Sequence, residues 1–330
     1  MRRYARIIGT GSYVPEKVLT NADLSRMLGE DIHEFVSQVV GIYERHICSE
    51  NESTADLATE AGLRALAAAG IKPEEVDLIL VATDTPEYIS PATSVVVQHR
   101  LGAKRAGTFD INCACAGFVT ALDVASKYIM TDPSYQNILV IGAYAMSKYV
   151  DWTEKKTATI FADGAGAVVV QASGEGPGFL ASKLLADGQY HNYLGVFAGG
   201  TFMPITEEVL REGKYTKVRF IQKYPPDINI EGWPVLVKDV LSKAQLTLDD
   251  VNLFLFTQVN LSAIKEVMQR LALPMSRTHT IMHKWGYTGA ACIPMALDDA
   301  VKEGKIQRDN IVILCASGGG LNMACVAYRW

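Results

Sequence analysis

The chain alternates short, unbroken apolar runs with longer stretches whose apolar residues recur at helical spacing. Val76-Asp77-Leu78-Ile79-Leu80-Val81, Asn137-Ile138-Leu139-Val140-Ile141-Gly142-Ala143, Val251-Asn252-Leu253-Phe254-Leu255-Phe256 and Asn310-Ile311-Val312-Ile313-Leu314-Cys315-Ala316 are rich in Val, Ile and Leu and lack strict polar alternation. That pattern predicts strands buried on both faces. Helical patterns such as Thr54–Ala69 lie between them, and Pro73 opens a loop-helix segment. The pattern also repeats in order. The strands starting at Val76 and Asn137 return at Val251 and Asn310, and Ala121-Leu122-Asp123-Val124-Ala125 returns as Ala296-Leu297-Asp298-Asp299-Ala300. The offsets are 175 for the strand at Val76, 175 for the helix and 173 for the strand at Asn137. A near-constant offset predicts a duplicated α/β unit, two similar halves packed together. The Gly/Pro-rich stretch Gly174-Glu175-Gly176-Pro177-Gly178 places the halves at 1–173 and 174–330. Residues 187–226 show little periodicity and many Gly, Tyr and Pro, which predicts an extended functional excursion over the surface.

Composition narrows the function. In 330 residues, 49% are hydrophobic and 20% charged, so the core is ample. A net charge of −5 and a pI of about 5.7 argue against nucleic acid as a partner. The six cysteines form no CxxC pair and no Cys/His grouping with zinc spacing, so no metal site is expected. Free thiols in a chain of this size predict a reducing, cytoplasmic setting. Neither a signal-peptide core nor an apolar run of membrane-spanning length is found, so no membrane association is expected.

Candidate chemistry centres on Cys115. Thr108-Phe109-Asp110-Ile111-Asn112-Cys113-Ala114 reads as a strand leading to it, and an apolar helical run, 119–129, follows. A thiol at a helix N-terminus faces unpaired N–H groups and the positive end of the dipole, which favours the nucleophilic thiolate. Such a junction is where an acyl-transferring cysteine would be built.

Several motifs together resemble one family. They are Arg6-Ile7-Ile8-Gly9-Thr10-Gly11-Ser12-Tyr13-Val14-Pro15, Gly41-Ile42-Tyr43-Glu44-Arg45-His46, Ala114-Cys115-Ala116-Gly117-Phe118, Asp163-Gly164-Ala165-Gly166-Ala167 and Gly318-Gly319-Gly320. In this order they are similar to β-ketoacyl-acyl carrier protein synthase III, of the thiolase-like superfamily. The resemblance implies an α/β, five-layered α-β-α-β-α fold of two duplicated halves, and a homodimer. It implies that Cys115 takes an acyl group from an acyl-CoA or acyl carrier protein thioester, with no further cofactor. Malonyl-acyl carrier protein is then decarboxylated and condensed onto that group. It also implies that the N–H groups of Cys115 and Gly319 form the oxyanion hole, where glycine lets the donor approach closely.

Two positions depart from the family. Its His-Gln-Ala-Asn motif reads Thr257-Gln258-Val259-Asn260 here, and its Gly-Asn motif reads Gly286-Tyr287. Thr257 and Tyr287 can donate hydrogen bonds but cannot act as bases near neutral pH. Losing one donor aimed at developing charge costs roughly 3–4 kcal/mol, a factor of about 100 to 1,000. At positions matching the coenzyme A site stand Phe35, which can stack on adenine, Val39 and Lys155. Asn260 joins this substrate-binding set, and Ser90 stands where the family often has a bulky pocket residue. His283 and Glu87 are candidate replacement bases, and helix 262–271, with Lys265 and Arg270, resembles the carrier-docking surface. Three readings follow: decarboxylative condensation, acyl transfer to an O, N or C acceptor without decarboxylation, and a non-catalytic subunit of a heterodimeric synthase.

Overall fold

Along the chain of the computed structural model, which describes residues 2–330, the first strands are β1 (Tyr4–Tyr13), β2 (Val18–Thr20), β3 (Glu44–His46), β4 (Leu78–Ala82), β5 (Gly107–Ile111), β6 (Asn137–Ala145) and β7 (Asp163–Ser173). They are followed by β8 (Phe179–Ala186), β9 (Leu194–Gly195), β10 (Arg219–Phe220), β11 (Val251–Phe256), β12 (Ile311–Gly318) and β13 (Asn322–Arg329). The helices are α1 (Asn21–Leu28), α2 (His33–Phe35), α3 (Thr54–Ala69), α4 (Thr93–Leu101), α5 (Gly117–Thr131), α6 (Lys155–Ala158), α7 (Glu207–Glu212), α8 (Ile228–Ala244), α9 (Leu261–Arg270), α10 (Met282–Trp285) and α11 (Cys292–Lys302).

The apolar runs become the centres of two sheets, ordered β1-β7-β6-β4-β5 and β8-β13-β12-β11. The duplication is visible in both order and direction. β4 runs parallel to β6 as β11 does to β12, while β7 and β13 are antiparallel to their neighbours. The counterpart of β5 survives as one parallel bridge, Phe254 with Thr278, fixed by the Thr278 hydroxyl donating to the Phe254 carbonyl at 2.8 Å. The chain crosses from one sheet to the other between Ser173 and Phe179. On this ground we propose the division of the halves at 173 and 174.

Helices α5 and α11 fill the space between the sheets, α3 and α4 cover the outer face of the first sheet, and α8 covers the second. Five layers result, because each apolar strand needs cover on both faces. Close approach depends on small residues. A Cβ at Gly142 would lie 2.4 Å from the Ala290 carbonyl oxygen, so only glycine lets the turn before α11 rest on β6. The halves are also tied by Asp298 of α11. Its fully buried carboxylate accepts from Thr10 Oγ1 and Lys302 Nζ, each at 2.7 Å, and from the Ser12 hydroxyl on β1.

Two expectations change on folding. The lead-in strand stops at Ile111 rather than running to Cys115. Residues 187–226 are not a structureless excursion: they hold β9, β10 and α7 and fold back over the centre of the molecule.

Candidate active site

Cys115 sits two residues before α5, on a tight bend. Asn112 Oδ1 accepts from the Ala114 N–H at 3.1 Å, and Ala114 adopts φ 46°, a left-handed conformation that costs a non-glycine residue energy. The bend then closes through Ala116 N–H to Cys113 O at 3.1 Å and Gly117 N–H to Ala114 O at 2.9 Å, which starts α5. Cys115 is thereby turned away from the strand direction and into a cavity of about 410 Å³, a size that suits a small-molecule group.

The glycine loop closes one side. A Cβ on Gly318 would sit 2.4 Å from Cys113 O and 2.7 Å from Cys115 N, so this glycine is what allows β12 to end against the Cys115 backbone. Gly319 lines the cavity beside it. Tyr287 lines the same cavity. It is buried, stacks on Phe161 with ring centroids 6.0 Å apart, and directs its hydroxyl to the Cys115 sulfur. The expectation that the helix N-terminus controls the thiol is corrected. Burial pushes the Cys115 thiol well above its ordinary range, the Asp84 carboxylate pushes it the same way, and the Tyr287 hydroxyl pulls back.

Asp84 is the residue that reading the sequence missed. It lines the same cavity, two residues beyond the fully buried strand β4. Its Oδ1 is buried without a hydrogen-bond partner, and desolvation raises its pKa from 3.8 to about 6. The available signal was a lone carboxylate at the C-terminal end of a wholly apolar parallel strand, the usual address of functional groups in α/β sheets. Residues 187–226 supply the apolar wall through Leu194, Val196, Val218 and Phe220. Tyr190, Tyr193 and Tyr224 knit that segment together, with ring centroids 5.0 to 5.6 Å apart, and the Tyr224 hydroxyl accepts from the Gly320 N–H at 3.4 Å.

Other predicted residues lie elsewhere. Thr257 does not line the cavity. It is fully buried, and its Oγ1 accepts from the Ser317 N–H at 2.9 Å and faces the Ser317 carbonyl at 3.4 Å. Its short side chain is spent on holding the strand that leads into the glycine loop. Asn260 caps α9, accepting from Ser262 N–H at 2.9 Å and Ala263 N–H at 3.4 Å. Phe35 is exposed on α2, and Lys155 pairs with Glu30 at 2.9 Å, both outside the cavity. Ser90 is exposed and also outside the cavity of its own chain.

The candidate bases are corrected too. Glu87 is neither solvated nor free: it accepts from Ser53 Oγ and Ala55 N–H, each at 3.0 Å, at the start of α3. His283 does not reach the cavity. On α9, Arg270 is engaged by Glu231 and by Glu266 at 3.2 Å, so its charge is already answered. Among the described residues, no Lys or Arg lines the cavity, and His191 at its exposed edge is the one histidine. No helix among them is long and apolar enough to cross a membrane.

Comparison with known proteins gives a consistent answer. A family model described as 3-oxoacyl-[acyl-carrier-protein (ACP)] synthase III matches residues 109–188, and the model of its C-terminal part matches 241–330. The β-ketoacyl-[acyl-carrier-protein] synthase III of Caldanaerobacter subterraneus subsp. tengcongensis is 39% identical, over 99% of this chain and 98% of its own. That of Geobacillus kaustophilus is also 39% identical, over 99% of each chain. The crystal structure of 3-oxoacyl-[acyl-carrier-protein] synthase III from Aquifex aeolicus VF5 superposes with a TM-score of 0.89 at 35% identity, covering 99% of this chain and 100% of the other. With its duplicated sheets, its buried cysteine and these relatives, the chain belongs to the 3-oxoacyl-[acyl-carrier-protein] synthase III family and is a thiolase-like α/β acyltransferase of that type.

Proposed function

We propose that Cys115 takes an acyl group from an acyl-CoA or acyl carrier protein thioester and passes it to malonyl-acyl carrier protein, with loss of carbon dioxide. The observation that carries this reading is the placement of Cys115 in a 410 Å³ cavity between the Tyr287 hydroxyl and the glycine loop. The N–H groups of Cys115 and Gly319 would hold the thioester oxygen while charge develops on it. Tyr287, the one hydroxyl from the two altered motifs that lines the cavity, would donate to the enolate oxygen once malonyl loses its carboxylate. Thr257 then has a positioning role, through Ser317.

Outside the cavity, Phe35 offers an open ring for stacking on adenine, while Lys155 would meet a phosphate only by releasing Glu30. The reaction draws on the chain's own groups and the thioester, without a resident cofactor, and free thiols suit the cytoplasm. A homodimer fits the loop around Ser90, where Ile89 is 83% exposed beside Tyr88.

A specific observation favours a second reading. The Thr257 hydroxyl is occupied and no fixed cation lines the cavity, so the site is poorly furnished to receive a malonyl carboxylate. An acceptor that surrenders a proton from O, N or C would fit it. One experiment separates the readings. Intact mass after incubation with acyl-CoA and acyl-carrier-protein thioesters tests loading, with Cys115→Ala as control. Labelled carbon dioxide released from malonyl-acyl carrier protein by the loaded enzyme supports condensation. Loading without release supports the second reading, and no loading from any donor overturns both.

A further inference from the structure

The site lacks the histidine that its family relies on, yet an acyl transfer through a thiol must move a proton. Burial makes the problem sharper, since it keeps Cys115 protonated at rest. Something beside the sulfur has to take its proton as the bond to carbon forms.

Asp84 shares the cavity with Cys115 and its charge is felt at the sulfur, so a proton can pass between them through one intervening water or a small side-chain movement. Its neighbours pin the backbone on both sides. The Thr83 N–H donates to the Ile111 carbonyl at 3.1 Å, the Thr85 N–H to Thr83 Oγ1 at 3.0 Å, and the Ala145 N–H to Thr85 Oγ1 at 2.9 Å. The loop therefore joins the ends of β4, β5 and β6, and both flanking threonines are buried. Asp84 alone of the three lines the cavity that holds Cys115. Its Oδ1 is buried there with no partner, an arrangement that costs stability and is rarely kept without use.

We propose that Asp84 is the base of this site, the group that takes the Cys115 proton during acyl loading and hands it to the departing thiol. In the balanced step the Cys115 S–H bond breaks toward the Asp84 carboxylate while sulfur bonds to the thioester carbonyl carbon. The carbon–sulfur bond of the donor then breaks, its electron pair stays on the donor sulfur, and that sulfur takes the proton from Asp84. The carboxylate is regenerated, the donor leaves as a thiol, and no other reactant is consumed. Tyr287 complements the transfer by donating to the sulfur as negative charge gathers on it.

The surroundings suit the role. Besides His191 at the exposed edge, the titratable groups around Asp84 and Cys115 are Tyr144 on β6, Tyr224 and Tyr287 in the cavity wall, and Cys292 at the start of α11 behind Cys115 and Tyr287, which with Cys115 itself make up the inner set. The inner groups are neutral when protonated, so none of them supplies a counter-charge that would hold Asp84 permanently ionised and inert. Desolvation sets its pKa near the working range of a general base, at about 6. The resident alternative is His191, which stands at the exposed edge with Nδ1 3.1 Å from the Gly188 carbonyl.

The inference rests on Cys115 being the acylated residue, and the test keeps the two apart. The rate of single-turnover acylation by an acyl-CoA is read by intact mass across the neutral range. The panel is wild type, Asp84→Asn, Asp84→Ala with and without added acetate, and His191→Gln. The expected wild-type profile rises with pH through one ionisation near 6 and then levels. Asp84→Asn should be slower by about 100-fold or more and should lose that ionisation. Acetate should restore part of the Asp84→Ala rate, which a purely structural carboxylate would not allow. Wild-type rate and profile in Asp84→Asn, or loss of the ionisation in His191→Gln instead, would overturn the proposal. If the Asp84 variants fail to fold, a wild-type profile with no ionisation near 6 overturns it as well. Absence of any acylation in wild type would refute the prior assignment of Cys115 rather than the role of Asp84.

Discussion

Replacing Asp84 by asparagine should change stability in a way that depends on pH, with a sign fixed by desolvation. In the unfolded chain the carboxyl ionises near 3.8, whereas in the folded protein it holds its proton up to about 6. Below 3.8 both states are protonated and the group is neutral in its effect. As pH rises, the unfolded state ionises first and is favoured, so wild type loses stability between about pH 4 and pH 6 and recovers none above it. The shift of about two units corresponds to about 3 kcal/mol. Asparagine cannot ionise, and its own fit in the pocket adds a term that does not vary with pH. The stability of Asp84→Asn relative to wild type should therefore climb by about 3 kcal/mol across that window and stay flat above it. Urea unfolding of both proteins at a series of pH values and one fixed protein concentration measures this difference directly. A difference that is constant from acid to neutral pH would refute the reasoning, because the carboxylate would then ionise as freely inside the protein as outside.

Three further outcomes are expected. Tyr287→Phe removes the donor to the Cys115 sulfur, so alkylation of that thiol should slow about 10-fold or more at neutral pH and need a higher pH for half-maximal rate; an unchanged pH profile would count against the contact. Gly318→Ala drives a methyl group to within 2.4 Å of the Cys113 carbonyl oxygen, and should lower stability by about 1–3 kcal/mol and abolish acyl loading; a stable, fully loading variant would show that the loop does not press on the nucleophile. Asp298→Ala leaves Thr10 Oγ1 and the Ser12 hydroxyl without their acceptor, while the exposed Lys302 returns to solvent, and should cost about 1–3 kcal/mol in denaturant unfolding.

The fold was legible because its evidence is periodic and local. Unalternated apolar runs such as 76–81 and 251–256 became β4 and β11, and the offset between them became a shared strand order. The setting of Cys115 was legible for the same reason, since the bend at Ala114 lies in one short stretch with the start of α5. The rest depended on contacts that close only in three dimensions. Thr257 carries a free hydroxyl in the sequence, and only packing shows that Ser317 has taken it. Glu87 and Asp84 stand in one loop, three positions apart, with similar chemistry. The Glu87 carboxylate turns to the Ala55 N–H and the Ser53 hydroxyl at the opening of α3, where the helix dipole holds it, while Asp84 turns inward with its Oδ1 unpartnered. Nothing in the linear order distinguishes those two fates.

Segment 187–226 has a consequence of another kind. Cys115 and the glycine loop stand at strand and helix ends inside the duplicated frame, but Leu194, Val196, Val218 and Phe220 belong to the connection between β8 and α8, outside the two large sheets. Under the proposed function, chemistry and molecular taste are therefore carried on separate pieces of chain. Descendants of such a protein can exchange or rewrite the one segment to accommodate a different guest while the machinery beneath it passes on unaltered, and the duplication, which permits little drift where the halves interlock, leaves this stretch free to diversify.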